Sequence, residues 1–229
     1  MNDQELNTLE YNDALILDKR TFFQFYCSLL KKKHLILFTF LPINDYNLPS
    51  IKIMLFLFSF SLYFSINGFF FNDETMHKVY SYKGNFKYIE QIMNIIYSSI
   101  IPSIINTILR LLSLSERNIL VLKKQKSVKI FSKLEKDTKK FLRIKFIIFF
   151  ILSFSMLFFF WYFISCFCGI FKNTQNILII DTLISFGLSM IYPFLINFIP
   201  GIFRISSLRA KKKDKKILYQ LSSLLSLII

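Results

Sequence analysis

The chain has 229 residues, 54% of them hydrophobic, with 29 Phe, only 5 Gly and 5 Pro, and a formal net charge of +15 from 29 Lys and Arg against 14 Asp and Glu. So much phenylalanine with so little glycine and proline argues against a soluble domain of this size, because the surplus apolar surface needs lipid to cover it. The basic excess does not point to nucleic acid: its runs flank apolar stretches, and the aromatics sit inside those stretches rather than on a basic platform.

Residues 1–50 read as a cytosolic N-terminal segment carrying an interfacial helix. The start, MNDQELNTLEYND, is polar and acidic and is not a signal peptide, so the first span is expected to direct insertion. Asn2–Asp18 reads as a short helix or irregular chain. Beyond it, Phe22, Phe25, Tyr26 and Leu29 fall on one helical face, followed by Lys31, Lys32 and Lys33. An aromatic face with a basic flank suits a helix in the headgroup region; the alternative is a helix packed on the bundle. The apolar run Leu35–Leu41 is too short to span, and PINDYNLP, Pro42–Pro49, is turn chemistry.

Residues 51–112 read as a transmembrane hairpin. Span one covers about Ile51–Phe71, with Lys52 placed to snorkel at its mouth and Asn67 and Gly68 placed for helix contact. Asn72–Tyr88 is a polar connection in which Asp73, Glu74 and His77 are close in sequence. They match no EF-hand or zinc spacing, so the bland reading is a solvated loop. Span two covers about Ile89–Leu112, holds Asn94, Asn106 and a kinking Pro102, and carries Arg110 at its far end.

Residues 113–145 form a basic cytosolic connector. Ser115 is the expected helix cap, Glu116 supports the first turn, and two helical segments are expected to extend the flanking spans. Residues 146–203 read as a second hairpin. The uncharged Phe146–Phe171 is the stretch the chain is organised around; as a helix it reaches about 39 Å, beyond the hydrocarbon core of about 30 Å. Without water its backbone must be helical. After a hairpin at Lys172–Asn176, span four, about Ile177–Phe203, carries Asp181 near the wet end, Asn197, and two breakers, Pro193 and Pro200. Residues 204–229 are a basic tail in which Ile217, Leu221, Leu224, Leu225 and Ile228 share one helical face, expected on a leaflet or on another subunit.

Lys and Arg number five before residue 51, eleven in 113–145 and seven from Arg204 on, against three in Asn72–Tyr88 and one in Lys172–Asn176. The positive-inside rule then puts both termini in the cytosol and requires an even number of spans, which four satisfies. The expected fold class is all-α: a polytopic membrane protein with four transmembrane helices and cytosolic amphipathic helices.

The pieces LDKRTFFQFY, LLKKKHLILF, FFNDETMHK and LSERNIL stand in order within residues 9–123. In these words the chain resembles a group of uncharacterised ciliate and other protist multi-pass transmembrane proteins, some of them the membrane portion of longer chains. From about Lys124 the likeness is one of hydropathy only. The resemblance implies the topology and a protist origin, and it brings no catalytic residues.

There is no Gly-rich phosphate loop, HExxH, G-x-S-x-G or Cys/His nucleophile pairing, and the three cysteines follow no disulfide or zinc spacing. No catalytic residue, cofactor or metal is expected. Lys31, Lys32, Lys33, Lys123, Lys124, Lys211, Lys212 and Lys213 are candidate contacts for anionic lipid headgroups, with purely topogenic charge as the alternative. Asn94, Asn106, Asp181 and Asn197 are candidate intramembrane polar contacts. The expected function is a non-enzymatic subunit, anchor or scaffold whose partners are the bilayer, anionic headgroups and other membrane subunits or further copies of itself. The alternative is an oligomeric ion channel or lipid-conducting protein. A lipid enzyme centred on Asp73, Glu74 and His77 is the third reading. Polar span residues lining one wet cavity would favour conduction, and pairing with neighbouring helices would favour the scaffold.

Overall fold

The structure, a computed structural model, describes residues 1–71, 73–81, 88–125, 128–172, 174–209 and 215–228. Among the described residues there are twelve helices and no strand. Four helical stretches are long and apolar enough to cross a membrane: Pro49–Phe69, Ile92–Ser113, Phe131–Ile170 and Gln175–Arg209. The fold is therefore all-α with four membrane-spanning segments. The chain divides into two compact units, 47–189 and the pair 1–46 with 190–229. The hairpin-by-hairpin segmentation of the sequence does not foresee this division, because it joins elements from opposite ends of the chain.

In the unit 47–189, α5 (Pro49–Phe69) is followed by α6 (Asp73–Ser81), α7 (Tyr88–Ser113), α8 (Glu116–Lys124), α9 (Val128–Ile170) and the first part of α10 (Gln175–Ile196). Pro49 opens α5 at a position where its missing N–H costs nothing. α5 packs on both α7 and α9, and half of its apolar window is buried, against 22% for each of those two. The centre of this unit is thus α5, not the Phe-rich 146–171 stretch. That stretch is the outer helix: Phe154, Phe158, Phe159, Trp161 and Tyr162 are all exposed, because its neighbours cover only part of a helix that is apolar all round. α9 runs unbroken for 43 residues, about 64 Å, so roughly half of it extends beyond a bilayer core. Of the two expected extensions, that of span three is present, whereas α7 ends at Ser113 and α8 is a separate helix, so span two is not extended.

Three local expectations are corrected. The polar connection after span one begins as a helix, α6, rather than a loop; residues 82–87 lie outside the described residues. Lys52 is buried rather than snorkelling. Ser115 occupies the N-cap position of α8 but its side chain makes no cap bond. Instead Asn47 Oδ1 accepts the backbone N–H groups of Ser115 at 3.1 Å and Glu116 at 3.3 Å. The α8 cap is thus supplied from 68 residues away in the chain.

In the unit 1–46 with 190–229 lie α1 (Asp3–Asn7), α2 (Tyr11–Leu17), α3 (Phe22–Lys33), α4 (Leu35–Phe40), the end of α10, α11 (Phe198–Arg209) and α12 (Lys216–Ile228). Asn2 with Glu5, and Thr21 with Gln24, form capping boxes that start α1 and α3. Within the fourth span the helix α10 ends at Ile196 and α11 follows. Pro200 has no N–H to give the Ile196 carbonyl, so the ladder breaks there, and the Asn197 backbone N–H and Nδ2 both turn back to the Pro193 carbonyl. α11 then packs on α3 and α12. The aromatic face of α3 is consequently not an interfacial one. Phe22 stacks on Tyr26 and meets Phe198 edge-on at 5.2 Å, while the Tyr26 hydroxyl donates to the Phe194 carbonyl at 2.8 Å. Only Phe23, on the other side, stays exposed. Gly201 admits this approach, since a Cβ there would lie 2.8 Å from Phe22 Cε2.

Candidate functional site

The spans of the unit 47–189 carry small polar residues: the hydroxyls Ser59, Ser61 and Ser65 and the amide Asn67 on α5; Ser98, Ser99 and Ser103 on α7; and the carboxyl Asp181 with the hydroxyls Thr182, Ser185 and Ser189 on α10. Small residues let backbones approach and leave the hydroxyls to bond across the contact. The Ser98 and Ser185 hydroxyl oxygens meet at 3.3 Å, and the Ser185 hydroxyl also lies 3.2 Å from Asn67 Oδ1, so α5, α7 and α10 share one node. One turn toward the α7 C-terminus, the Tyr63 hydroxyl lies 3.0 Å from Ser103 Oγ. Deeper still, Asn106 Nδ2 donates to Ser59 Oγ at 2.7 Å. The Asn67 amide nitrogen is used within its own helix, on the Tyr63 carbonyl at 2.8 Å.

Asp181 lies one turn before this node. Its residue is 1% exposed, and its Oδ1 has no hydrogen-bond partner. This corrects the expectation of a wet carboxyl near the hairpin. The side toward the hairpin is closed by an apolar cluster of Phe71, Met76, Val79, Phe167, Ile177 and Leu178, to which α6 contributes two side chains. α6 therefore packs an apolar face, Met76 and Val79, on the spans. Its Glu74 is exposed and held below the usual carboxylate range by the hydrogen bond from Lys78 at 2.6 Å, and the side chain of Asp73 lies outside the described residues. Among the described residues no group of three His, Cys, Asp or Glu side chains gathers as a metal site.

Of the other candidates, Asn94 is half-buried, and its carbonyl accepts the Ser98 hydroxyl. Asn197 is buried at the helix break, its amide committed to the Pro193 carbonyl at 2.7 Å. Lys31, Lys32 and Lys33 form the last turn of α3, where cations complement the helix dipole. Lys31 and Lys123 are exposed, and Lys32 and Lys33 half-buried. The side chain of Lys124, and Lys211, Lys212 and Lys213 entirely, lie outside the described residues.

A second polar centre, in the unit 1–46 with 190–229, has no counterpart in the sequence reading. Asp18 closes α2, and its carboxylate is fully buried between two arginines. Arg20 grips it with Nε on Oδ1 at 2.8 Å and Nη2 on Oδ2 at 2.9 Å. Arg204 reaches Oδ2 with Nε at 3.1 Å and Nη2 at 2.9 Å. Arg204 Nη2 also donates to the Leu6 carbonyl at 2.6 Å, and Arg20 Nη2 to Asn7 Oδ1 at 2.9 Å. The Arg204 guanidinium lies 4.9 Å from the Phe25 ring centre and 4.7 Å from that of Tyr219. Tyr219 in turn donates to the Leu9 carbonyl at 2.8 Å. Burial by itself raises the Asp18 carboxyl, but the hydrogen bonds and charges of Arg20 and then Arg204 outweigh it and hold the group below its ordinary value. Burial pushes the Tyr219 phenol up. The latch ties α1, α2, α3, α11 and α12 together. Its sequence signal was a single Arg between Phe203 and Ile205, a position at which a cation is costly without a partner.

Comparison of the chain with protein-family models, with curated proteins and with solved structures finds no match.

Proposed function

We propose that the chain is a non-enzymatic multi-pass membrane protein that serves as a subunit, anchor or scaffold of a membrane complex. The observation that carries this reading is the use of the span polar groups. Asn106 bonds Ser59, Tyr63 meets Ser103, and Ser98, Ser185 and Asn67 meet at one node, so these groups join helices instead of lining a shared wet path. The exposed aromatic face of α9 then serves lipid or partner spans. On the charge distribution, both termini face the cytosol. There α12 turns Tyr219 and Ser222 inward and leaves Ile217, Leu221 and Leu224 exposed, a stripe for the leaflet flanked by lysines that attract anionic headgroups.

The test is native purification in mild detergent with mass spectrometry of what co-elutes. Stoichiometric foreign subunits support the reading. A pure homo-oligomer overturns it in favour of an ion channel or lipid-conducting protein, to be assayed by flux in liposomes. That second reading draws on Asp181, whose buried oxygen has no partner within the helices around it.

A further inference from the structure

We propose that Asp181 is an exchangeable proton site inside the membrane, which binds a proton as a neutral carboxyl and can release it. The inference stands whether the chain is a scaffold or a conduit, because it rests on the immediate surroundings of one side chain. A carboxylate removed from water with neither a cation nor a donor is costlier than almost any other buried group, and it neutralises instead. Asp181 is 1% exposed, its Oδ1 receives no hydrogen bond, and among the described residues no cation pairs with it. Asp18 is the contrast within the same chain: equally buried, but clamped by two guanidiniums and kept ionised.

The titratable groups around Asp181 do not supply the missing charge. Among the described side chains, α5 offers only Tyr63 near this depth, and that phenol is engaged with Ser103. α9 is uncharged from Phe146 to Phe171, and its Cys168 packs on the apolar cluster. α6 turns Met76 and Val79 toward that cluster, while Glu74, His77 and Tyr80 are exposed and Lys78 is taken by Glu74. Among its described side chains α7 offers amides and hydroxyls near this depth; the side chain of Glu90 lies outside the described residues. The Ser98 and Ser185 hydroxyls lie within hydrogen-bond reach of each other and of the carbonyls one turn earlier, of Asn94 and Asp181 respectively. α7 and α10 are the second and fourth crossings and so run in the same sense, which puts Asn94 at the depth of Asp181. A polar file therefore leads from Asp181 through Ser185 to Ser98 and Asn67. On the other side stands the apolar cluster that α6 joins. Buried span oxygens without a partner also include Ser65 Oγ on α5, Ser153 Oγ on α9 and Thr182 Oγ1 on α10, all neutral hydroxyls that bring no charge to the carboxyl. The proton is the cation that neutralises such a group most directly, and Na+ is the competitor that the experiment separates from it.

The experiment is infrared spectroscopy of the full chain in lipid nanodiscs, with ¹³C-carboxyl aspartate to separate Asp from Glu, between about pH 6 and 8, where an ordinary carboxyl is ionised. The expected result is a protonated aspartate band that shifts on transfer to D2O and is absent in Asp181→Asn. No such band in the wild type overturns the proposal. A band that fails to shift in D2O also overturns it, because a sealed acid is not an exchangeable site. A band lost on adding Na+ at constant pH would replace the proton with a metal cation. The wild-type spectra alone decide these outcomes if the variant does not fold.

Discussion

Replacing Asp18 with Ala removes the carboxylate that two buried guanidiniums share. In the folded chain Asp18 accepts four charge-assisted bonds of 2.8–3.1 Å from Arg20 and Arg204. Without it, both cations remain beside the same Phe25 ring, at 5.2 and 4.9 Å from its centre. Arg20 keeps Asp3 at 3.4 Å, but Arg204 is left buried with only backbone carbonyls, and removing one partner of a buried ion pair costs about 3–5 kcal/mol. Arg204→Met is milder: the buried cation leaves together with its bonds to Asp18 and the Leu6 carbonyl, Arg20 still pairs with Asp18, and the methionine repacks between Phe25 and Tyr219, so no buried charge is left without a partner. The assay is hydrogen exchange of the α1 and α2 amides in detergent or nanodiscs, which reads local opening of the latch rather than unfolding of the spans. For Asp18→Ala, 3–5 kcal/mol corresponds to exchange faster by roughly two to nearly four orders of magnitude. Asp18→Ala protection within about threefold of wild type, or a larger loss in Arg204→Met, would refute the account.

The same latch sets a pH dependence. The Asp18 carboxyl lies lower in the folded than in the unfolded chain, so its stabilisation is fully present above about pH 3.9 and is lost as pH falls through its lowered folded value; the gap in thermal midpoint between wild type and Asp18→Asn should close over that window. Gly68→Ala and Gly201→Ala should destabilise by about 1–3 kcal/mol, because the new Cβ would lie 2.9 Å from Phe163 Cε1 and 2.8 Å from Phe22 Cε2, whereas Gly169→Ala and Gly187→Ala meet nothing within 4 Å and should not; thermal melts of the four variants check this. Asn47→Ala should cost about 0.5–2 kcal/mol and speed exchange at the first amides of α8, while Ser115→Ala should leave them unchanged. Ser185→Ala removes the three-helix node and should cost about 0.6–1.7 kcal/mol in a membrane-based unfolding assay.

Hydropathy alone determined the four spans, their approximate ends, the all-α class and the extension of span three into the basic connector. It could do so because in lipid an apolar run of this length has one backbone solution. The Thr21–Gln24 capping box is a local pattern that was not among the expectations, and the cap expected at Ser115 is not made by its own side chain. What failed depended on groups distant in sequence. The α8 cap comes from Asn47, the Phe22–Leu29 face packs on α11 rather than on headgroups, and Arg204, counted as one more basic residue of the tail, is the centre of the latch. The same holds for Asp181. Its place in the sequence, early in a span, suggested water, but in the fold it is buried, one turn from the apolar cluster that α6 joins. Periodicity tells which residues share a face; only tertiary packing decides what that face meets. For a charged or polar group the neighbour sets whether it is a stabilising partner, a solvated surface or an unpaired acid, because the cost of removing charge from water depends almost entirely on what replaces the water.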